Sequence, residues 1–272
     1  MEYLGRISII FQFLEDASFR ERGGETLHGF LINKIKEVDE KFAKEIHDTR
    51  KPKPFSISPF FIIDGEGKMK DGHLHLKKGT QAEAKISALN QKMWNFIVKA
   101  FSSAEKRILK VGDAEVKIQQ ISFHGGEGEF ITYQTLLKNS PFSRSFECQI
   151  ITPLTFRQNG INIPLPLPEL FFSSLLSIWN TFSPQKIPSE IKKKFSRIAI
   201  SMCKLRTEIW RFSAYKIVGS KGVVRYKVED EFDEEEIKFL NALCLFANFS
   251  GVGYKRTMGM GMVEVQNVEK TS

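Results

Sequence analysis

Cysteine is scarce: the 272 residues hold three, Cys148, Cys203 and Cys244. They are odd in number and far apart, so neither a disulfide framework nor a CxxC metal site can be built from them. A cytoplasmic setting is therefore expected. Long apolar runs are also missing. The longest are about half a dozen residues, against about 18 for a bilayer span, so no membrane partner is expected. Residues 1–16 place a single Arg ahead of a short apolar run with no A-x-A-like cleavage site, which reads as a strand and not a signal peptide. Glycine (19) and proline (10) are too few for a fibrous chain. Carboxylates are outnumbered, 32 Asp+Glu against 40 Lys+Arg, for a formal charge of +8. That balance favours a polyanionic partner without establishing one. What the chain has in quantity is phenylalanine: 24 residues, within an apolar share of 42%. This excludes disorder. The length suits one large domain or two ordinary ones.

Most catalytic signatures are absent too. There is no G-x-S-x-G, no HExxH, no P-loop GKS or GKT and no paired-carboxylate pattern. The acidic run 229–236 reads as a solvated helix start, well placed for the macrodipole. His73 and His75 share one face of a strand, but no Cys or carboxylate spacing completes a zinc set. No metal and no cofactor are expected.

The apolar periodicity runs in an order that repeats. Residues 3–15 alternate at Ile7, Ile9 and Phe11 as a strand. A loop follows over 16–25. Leu27, Leu31, Ile35, Val38, Phe42 and Ile46 then mark a helix, with a break near Asp39. Residues 54–63 read as a strand punctuated by Pro59, residues 64–72 as a turn, and 73–87 as further strand. A helix capped by Asn90 covers 90–104, and 116–123 is a strand. Residues 125–139 are turn-rich and unpatterned, a candidate inter-domain region. In the second half, 146–156 is a strand and Pro168 opens a helix over 170–182. Residues 197–212 form a long strand or a bent pair, and 215–228 resemble a hairpin around Gly219–Gly222. A helix then follows the acidic run, and a Gly-rich loop leads into a last strand. Each half reads β-α-β-β-α-β. The expected class is α+β, with two tandem ferredoxin-like (RRM-like) domains, 1–135 and 136–272. The aromatic RNP1 signature of RNA-recognition modules is missing, so base stacking on a sheet face is not the expected mode.

Three features remain as candidates for chemistry. The first is the loop 251–261, where Gly251, Gly253, Gly259 and Gly261 surround the adjacent Lys255 and Arg256. Glycines let backbone N–H groups turn toward a phosphate and let it approach, and the two cations add charge. A flexible loop before an edge strand is the competing reading. The second is His47, at a helix end and followed by Arg50, Lys51 and Lys53. A histidine beside cations suits acid–base work on a phosphodiester, and equally a basic surface turn. The third is His28, one turn into the first helix after Gly23 and Gly24, facing either a cleft or the core edge. His124 precedes Gly125 and Gly126 and reads as turn chemistry.

These residues match a family. The segments 27–35, 45–58, 164–180 and above all 249–265 resemble the CRISPR precursor-RNA processing endoribonucleases of the RAMP superfamily. The last contains the signature G-x-G-x5-G-x-G with basic residues inside. The resemblance spans both halves. It implies metal-independent cleavage of CRISPR repeat RNA to release guide RNAs. The implied partners are the repeat RNA, as precursor and as mature guide, with other interference-complex subunits and a second copy of the chain as further candidates.

The resemblance also implies roles. His47 falls on the position of a general acid/base histidine, and Lys53 on the basic position ahead of Phe55. A tyrosine that many members carry on the first helix is Ile32 here. His28, four residues earlier on the same helix face, is the candidate replacement. The implied mechanism is attack of a ribose 2′-OH on the adjacent phosphorus, leaving a 2′,3′-cyclic phosphate. His47 or His28 would move the proton and Lys53 would stabilise the phosphorane. Lys255 and Arg256 would hold the RNA backbone, with Lys204, Arg206, Lys216, Lys221 and Arg225 as further contacts. Two other classes stay open: a non-catalytic RNA-binding RAMP subunit of an interference complex, and a metal-dependent nuclease or small-molecule enzyme on the same scaffold.

Overall fold

Ile7, Ile9, Phe11 and Phe13 are all fully buried on one face of the first strand, the period-two signature made structural. The structure, a computed structural model, describes residues 2–49, 51–102, 104, 107–124 and 131–267. The first half runs β1 (Tyr3–Phe13), β2 (Ala17–Arg20), α1 (Gly24–Val38), α2 (Glu40–Asp48), β3 (Phe55–Ile57), β4 (Phe61–Asp64), β5 (Gly67–Lys70), β6 (His73–Leu76), β7 (Gln81–Ala88), α3 (Gln91–Phe101), β8 (Ile108–Val111), β9 (Ala114–His124), β10 (Ile131–Thr132) and α4 (Tyr133–Asn139). The second runs β11 (Ser145–Leu154), β12 (Phe156–Gln158), β13 (Ile161–Ile163), α5 (Pro168–Phe182), β14 (Ile198–Arg211), β15 (Lys216–Val228), α6 (Glu234–Ser250) and β16 (Val263–Asn267). Short 3₁₀ helices cover Ser189–Arg197 and Arg256–Met258.

The main sheets have the order β3-β7-β1-β9-β8, with β4 also on β7, and β14-β15-β11-β16. All these pairs are antiparallel. In each sheet the first strand sits between the third and the last. The fold is two ferredoxin-like units in tandem. α1 breaks where expected, because Asp39 serves two helices: its N–H closes α1 on Ile35, and its side chain caps α2 at Phe42 N, 2.9 Å away. Asp233 and Glu236 form a reciprocal capping box at the start of α6.

Several local expectations change. The loop over 16–25 contains β2 and the turn over 64–72 contains β5; both pair with β6 in a small third sheet, β2-β6-β5. Their sequences lack β-branched character, so pairing and not propensity makes them strands. The hairpin lies one element earlier than expected. β15 is a single strand, and the turn sits at Ser213–Ala214, closed by Phe212 N to the Tyr215 carbonyl at 2.8 Å. The unpatterned stretch 125–139 contains α4; residues 125–130, Arg50 and the His124 side chain lie outside the described residues. The 135/136 boundary falls within α4, whose Tyr133 and Leu136 pack into the second core. Tyr133 sits edge-on to Trp179 at 4.8 Å.

The halves dock through the end of α6. Its last carbonyls have no helical partner. Arg6 on β1 donates to the Asn248 carbonyl, Ser56 on β3 donates to Phe249 at 2.5 Å, and Arg256 reaches Ser250 at 3.3 Å. Two cations there also suit the negative end of the helix dipole.

Candidate active site

His28 lies on the second turn of α1, half-buried. Its Nδ1 is 3.0 Å from the carbonyl oxygen of Thr257, and its ring stacks on Phe55 at 5.7 Å between centroids. A carbonyl only accepts, so Nδ1 carries the proton and Nε2 is left with a free lone pair. Burial chiefly, then the charges of Lys53, Lys255 and His47, hold His28 down at about 4, against the opposing pull of the Thr257 hydrogen bond. At neutral pH the ring is an uncharged base beside the ammonium groups of Lys53 and Lys255, with His47 nearby.

Those cations come from two places. Buried Phe42, Ala43 and Ile46 pin α2, which leaves His47 at its exposed end; Nδ1 lies 3.1 Å from Asp48 Oδ1. Lys53 folds back on this end. Its Nζ donates to the carbonyl of Ile46 and, at 3.4 Å, to that of His47. Burial, then the neighbouring Lys255, lower the Lys53 ammonium. Lys255 comes from the second half. Its Nζ lies over three rings, Tyr254 at 5.2 Å, Tyr215 at 5.4 Å and Phe212 at 5.6 Å, contacts that favour a fixed ammonium. The hairpin tip bearing Phe212 and Tyr215 is tied to the first half. Ser213 donates twice to Glu25 (2.9 and 2.8 Å), and Arg211 reaches Glu21 at 3.0 Å. The structure thus gathers His28, His47, Lys53 and Lys255. The aromatic box of Phe212, Tyr215 and Tyr254 was missed in the sequence, where three rings spread over forty residues leave no local pattern.

Arg256 departs from expectation. It is buried, and its guanidinium donates to the carbonyls of Phe55 (2.7 Å), Ser250 and Lys53. Desolvation lowers it to about 10. Buried and donating to three carbonyls, it staples the Gly-rich loop to the turn that bears Lys53 and is shielded from an RNA phosphate. The glycines are equally inward. A Cβ on Gly261 would land on the Val252 carbonyl and one on Gly253 on the Thr155 carbonyl, while Gly259 lies against Gly24 of α1. All four have positive φ, from 62° to 87°. They shape a packed loop, with Gly251, Gly259 and Gly261 buried.

The remaining basic candidates sit apart, on the second sheet. Register puts Lys204, Arg206, Lys221 and Arg225 on its helix-free face. Lys204 is exposed; Arg206 pairs with Glu208 at 2.8 Å and Arg225 with Glu147 at 2.6 Å. Arg206 and Lys221 line a cleft of about 500 Å³ shared with Glu21, Arg22 and Met69 of the first half. Among the described residues no group of three His, Cys, Asp or Glu could hold a metal ion. No helix among them is long and apolar enough to cross a membrane.

Residues 148–263 match the family of the CRISPR-associated endoribonuclease Cas6, and residues 7–136 match the Cas6 N-terminal domain. The chain belongs to the Cas6 family. A Cas6 endoribonuclease of Mycobacterium tuberculosis is 25% identical over 191 residues, 69% of this chain and 60% of that protein. The match thus spans about three fifths of that curated relative. Among solved structures, a Cas6 product complex superposes with a TM-score of 0.77 at 24% identity, covering 98% of this chain and 100% of that one. Thermus thermophilus Cas6 gives 0.71 at 18%, covering 98% and 99%. A RAMP protein described as binding different RNA substrates gives 0.63 at 16%, covering 97% and 100%. These likenesses carry the tandem ferredoxin-like fold.

Proposed function

We propose that this Cas6-family chain binds CRISPR precursor RNA and cuts it within the repeats by transesterification, with the attacking oxygen supplied by the RNA itself. The observation that carries the reading is the Nδ1 bond from His28 to Thr257, which presents Nε2 as a proton acceptor among Lys53, Lys255 and His47.

In this reading the ribose 2′-OH gives its proton to His28 Nε2 as its oxygen bonds to the adjacent phosphorus. The bond from phosphorus to the 5′-oxygen breaks, and that oxygen takes a proton from His47. The products end in a 2′,3′-cyclic phosphate and a 5′-OH. A nucleophile already tethered beside its target needs mainly alignment. Each proton transfer contributes about 10²–10⁴-fold. Lys53 and Lys255 face the charge that grows on the equatorial oxygens, where fixed cations act without reorganising. An arriving phosphate also offsets their push on His28 and makes it a stronger base in the complex.

A single 2′-deoxy nucleotide on the 5′ side of the scissile phosphate tests this. Cleavage should vanish while binding stays within a few-fold, because one hydroxyl is a small part of a long electrostatic contact. Appreciable cutting of that substrate, or products with 3′-OH and 5′-phosphate ends, would point to attack by water. Tight binding with no cleavage of the all-ribose repeat would make the chain a non-catalytic RAMP subunit.

A further inference from the structure

The small sheet β2-β6-β5 is not part of either ferredoxin-like unit, and its two faces are opposites. Register places Ala17, Leu76 and Gly67 in one cross-strand row and Phe19, Leu74 and Met69 in another. Phe19, Leu74 and Leu76 are buried in the first core. The other two rows point away: Ser18, His75 and Lys68, then Arg20, His73 and Lys70. Six adjacent side chains on one face thus include three permanent cations and two imidazoles. Lys68, Lys70 and His75 are exposed.

Such a face is costly to keep. Arg20, Lys68 and Lys70 repel one another across one small face, and the nearby carboxylates do not compensate. Asp16 is held by Lys77 at 2.7 Å and by Lys78 N at 2.9 Å. Glu21 is engaged by Arg211. Glu66 borders the face, and Asp71 sits in the turn beyond it. Arg20, Lys68 and Lys70 enter no ion pair among the described residues. Over Ser18, Lys68, Lys70, His75 and Lys77 the surface is concave, with a volume of about 740 Å³.

We propose that this face binds a segment of single-stranded RNA away from the scissile phosphate, a proposal that rests on RNA being the substrate. Lys68 and Lys70 lie two residues apart on one strand, about 6.8 Å, a spacing that an extended sugar–phosphate backbone can follow. Ser18 adds a hydroxyl donor. The His73 and His75 rings, 6.3 Å apart between centroids, offer π-faces to unstacked bases. Three strands of four residues measure about 10 by 13 Å. That is room for two or three nucleotides and far short of the roughly 16 base pairs that duplex-reading domains span.

The test compares Lys68→Glu with Lys70→Glu, made together, against Lys192→Glu with Lys193→Glu, an equal charge change on the exposed side of Ser189–Arg197. Labelled oligouridine, which has no stem and no repeat sequence, is titrated over a range of KCl concentrations. The first pair should weaken binding about tenfold and reduce the log–log salt slope by about 0.7 for each phosphate the face no longer neutralises; the second should do neither. Thermal melting of both pairs should match the wild type, since the changed residues are exposed. An unchanged slope, as expected if the face instead docks an acidic protein, overturns the proposal. So do equal effects in both pairs, which mean net charge alone. Cleavage of repeat RNA is read separately. A reduced slope in a protein that binds but never cuts leaves this site standing and removes the endonuclease reading.

Discussion

His28 and Thr257 are 229 positions apart in sequence and share one hydrogen bond, 3.0 Å from Nδ1 to carbonyl oxygen. A residue of the first helix thereby takes its tautomer from a loop of the second half. His28→Ala should lower single-turnover cleavage by about 10²–10⁴-fold and leave RNA affinity within a few-fold. His47→Ala should have an effect of similar size. Near wild-type rates in either variant would remove that residue from the chemistry.

The pH profile of the reaction should carry the same signature. A base held at about 4 keeps kcat/KM for short substrates high well below the pH at which an ordinary histidine is protonated, near 6.5. Bound phosphate cancels part of the push from Lys53 and Lys255, so the acid limb of kcat should lie at higher pH than that of kcat/KM. Measuring both limbs between pH 4 and 8 checks this; coincident limbs would mean the phosphate does not approach His28.

Folding should feel the same group. The unfolded chain protonates His28 near 6.5 and the folded one near 4. Between those values the unfolded state binds the extra proton, so stability is full above about pH 6.5 and is lost as pH falls toward 4. The loss is at most about 3 kcal/mol. His28→Gln removes the titration, and its acid destabilisation, read from urea midpoints, should be shallower than that of the wild type.

Glycine substitution should separate fold from flexibility. Gly261→Val places a side chain on the Val252 carbonyl at a φ of 67° and should lower the melting temperature by several degrees or abolish soluble expression. Gly29→Ala, on the exposed side of α1 with nothing within 4 Å of its Cβ, should be neutral or slightly stabilising, because alanine is the better helix former by about 1 kcal/mol. Equal melting temperatures would mean that the loop is not packed as described.

Arg256→Lys should fail as a conservative change. Three carbonyls on two segments, Lys53 and Phe55 at the start of β3 and Ser250 at the end of α6, match a planar fork and not a single ammonium. A loss of about 2–3 kcal/mol is expected from the stranded carbonyls, with cleavage falling alongside because the Lys53 turn is freed. Wild-type melting would show that the fork is dispensable.

The fold was legible in the sequence where burial is periodic. Ile7, Ile9 and Phe11 on β1, and Leu27, Leu31 and Ile35 on α1, announced themselves by spacing alone. β2 and β5 did not, because the residues 17–20 and 67–70 are strands only by virtue of β6 between them. The site was half legible. His28, His47, Lys53 and Lys255 could be picked out by type and by neighbours in sequence. The inward turn of Arg256 could not, since the carbonyls it serves lie at the end of α6 and some 200 residues away. The Gly-rich loop reaches the candidate site in a way neither sequence reading described. Its glycines let backbone pack on backbone, which is neither an open phosphate cradle nor a flexible loop.

That packing sets an order of events during synthesis. The turn carrying His47 and Lys53 is made early, and so is the helix carrying His28. Yet the carbonyl that orients His28, the ammonium of Lys255 and the fork of Arg256 all arrive with residues 255–257. A growing chain that has not yet reached residue 255 carries His28, His47 and Lys53, but neither the carbonyl that sets the His28 tautomer nor the second ammonium beside it. On the proposed reading, cleavage waits for the second unit to close on the first, and half-made chains leave the transcripts around them intact.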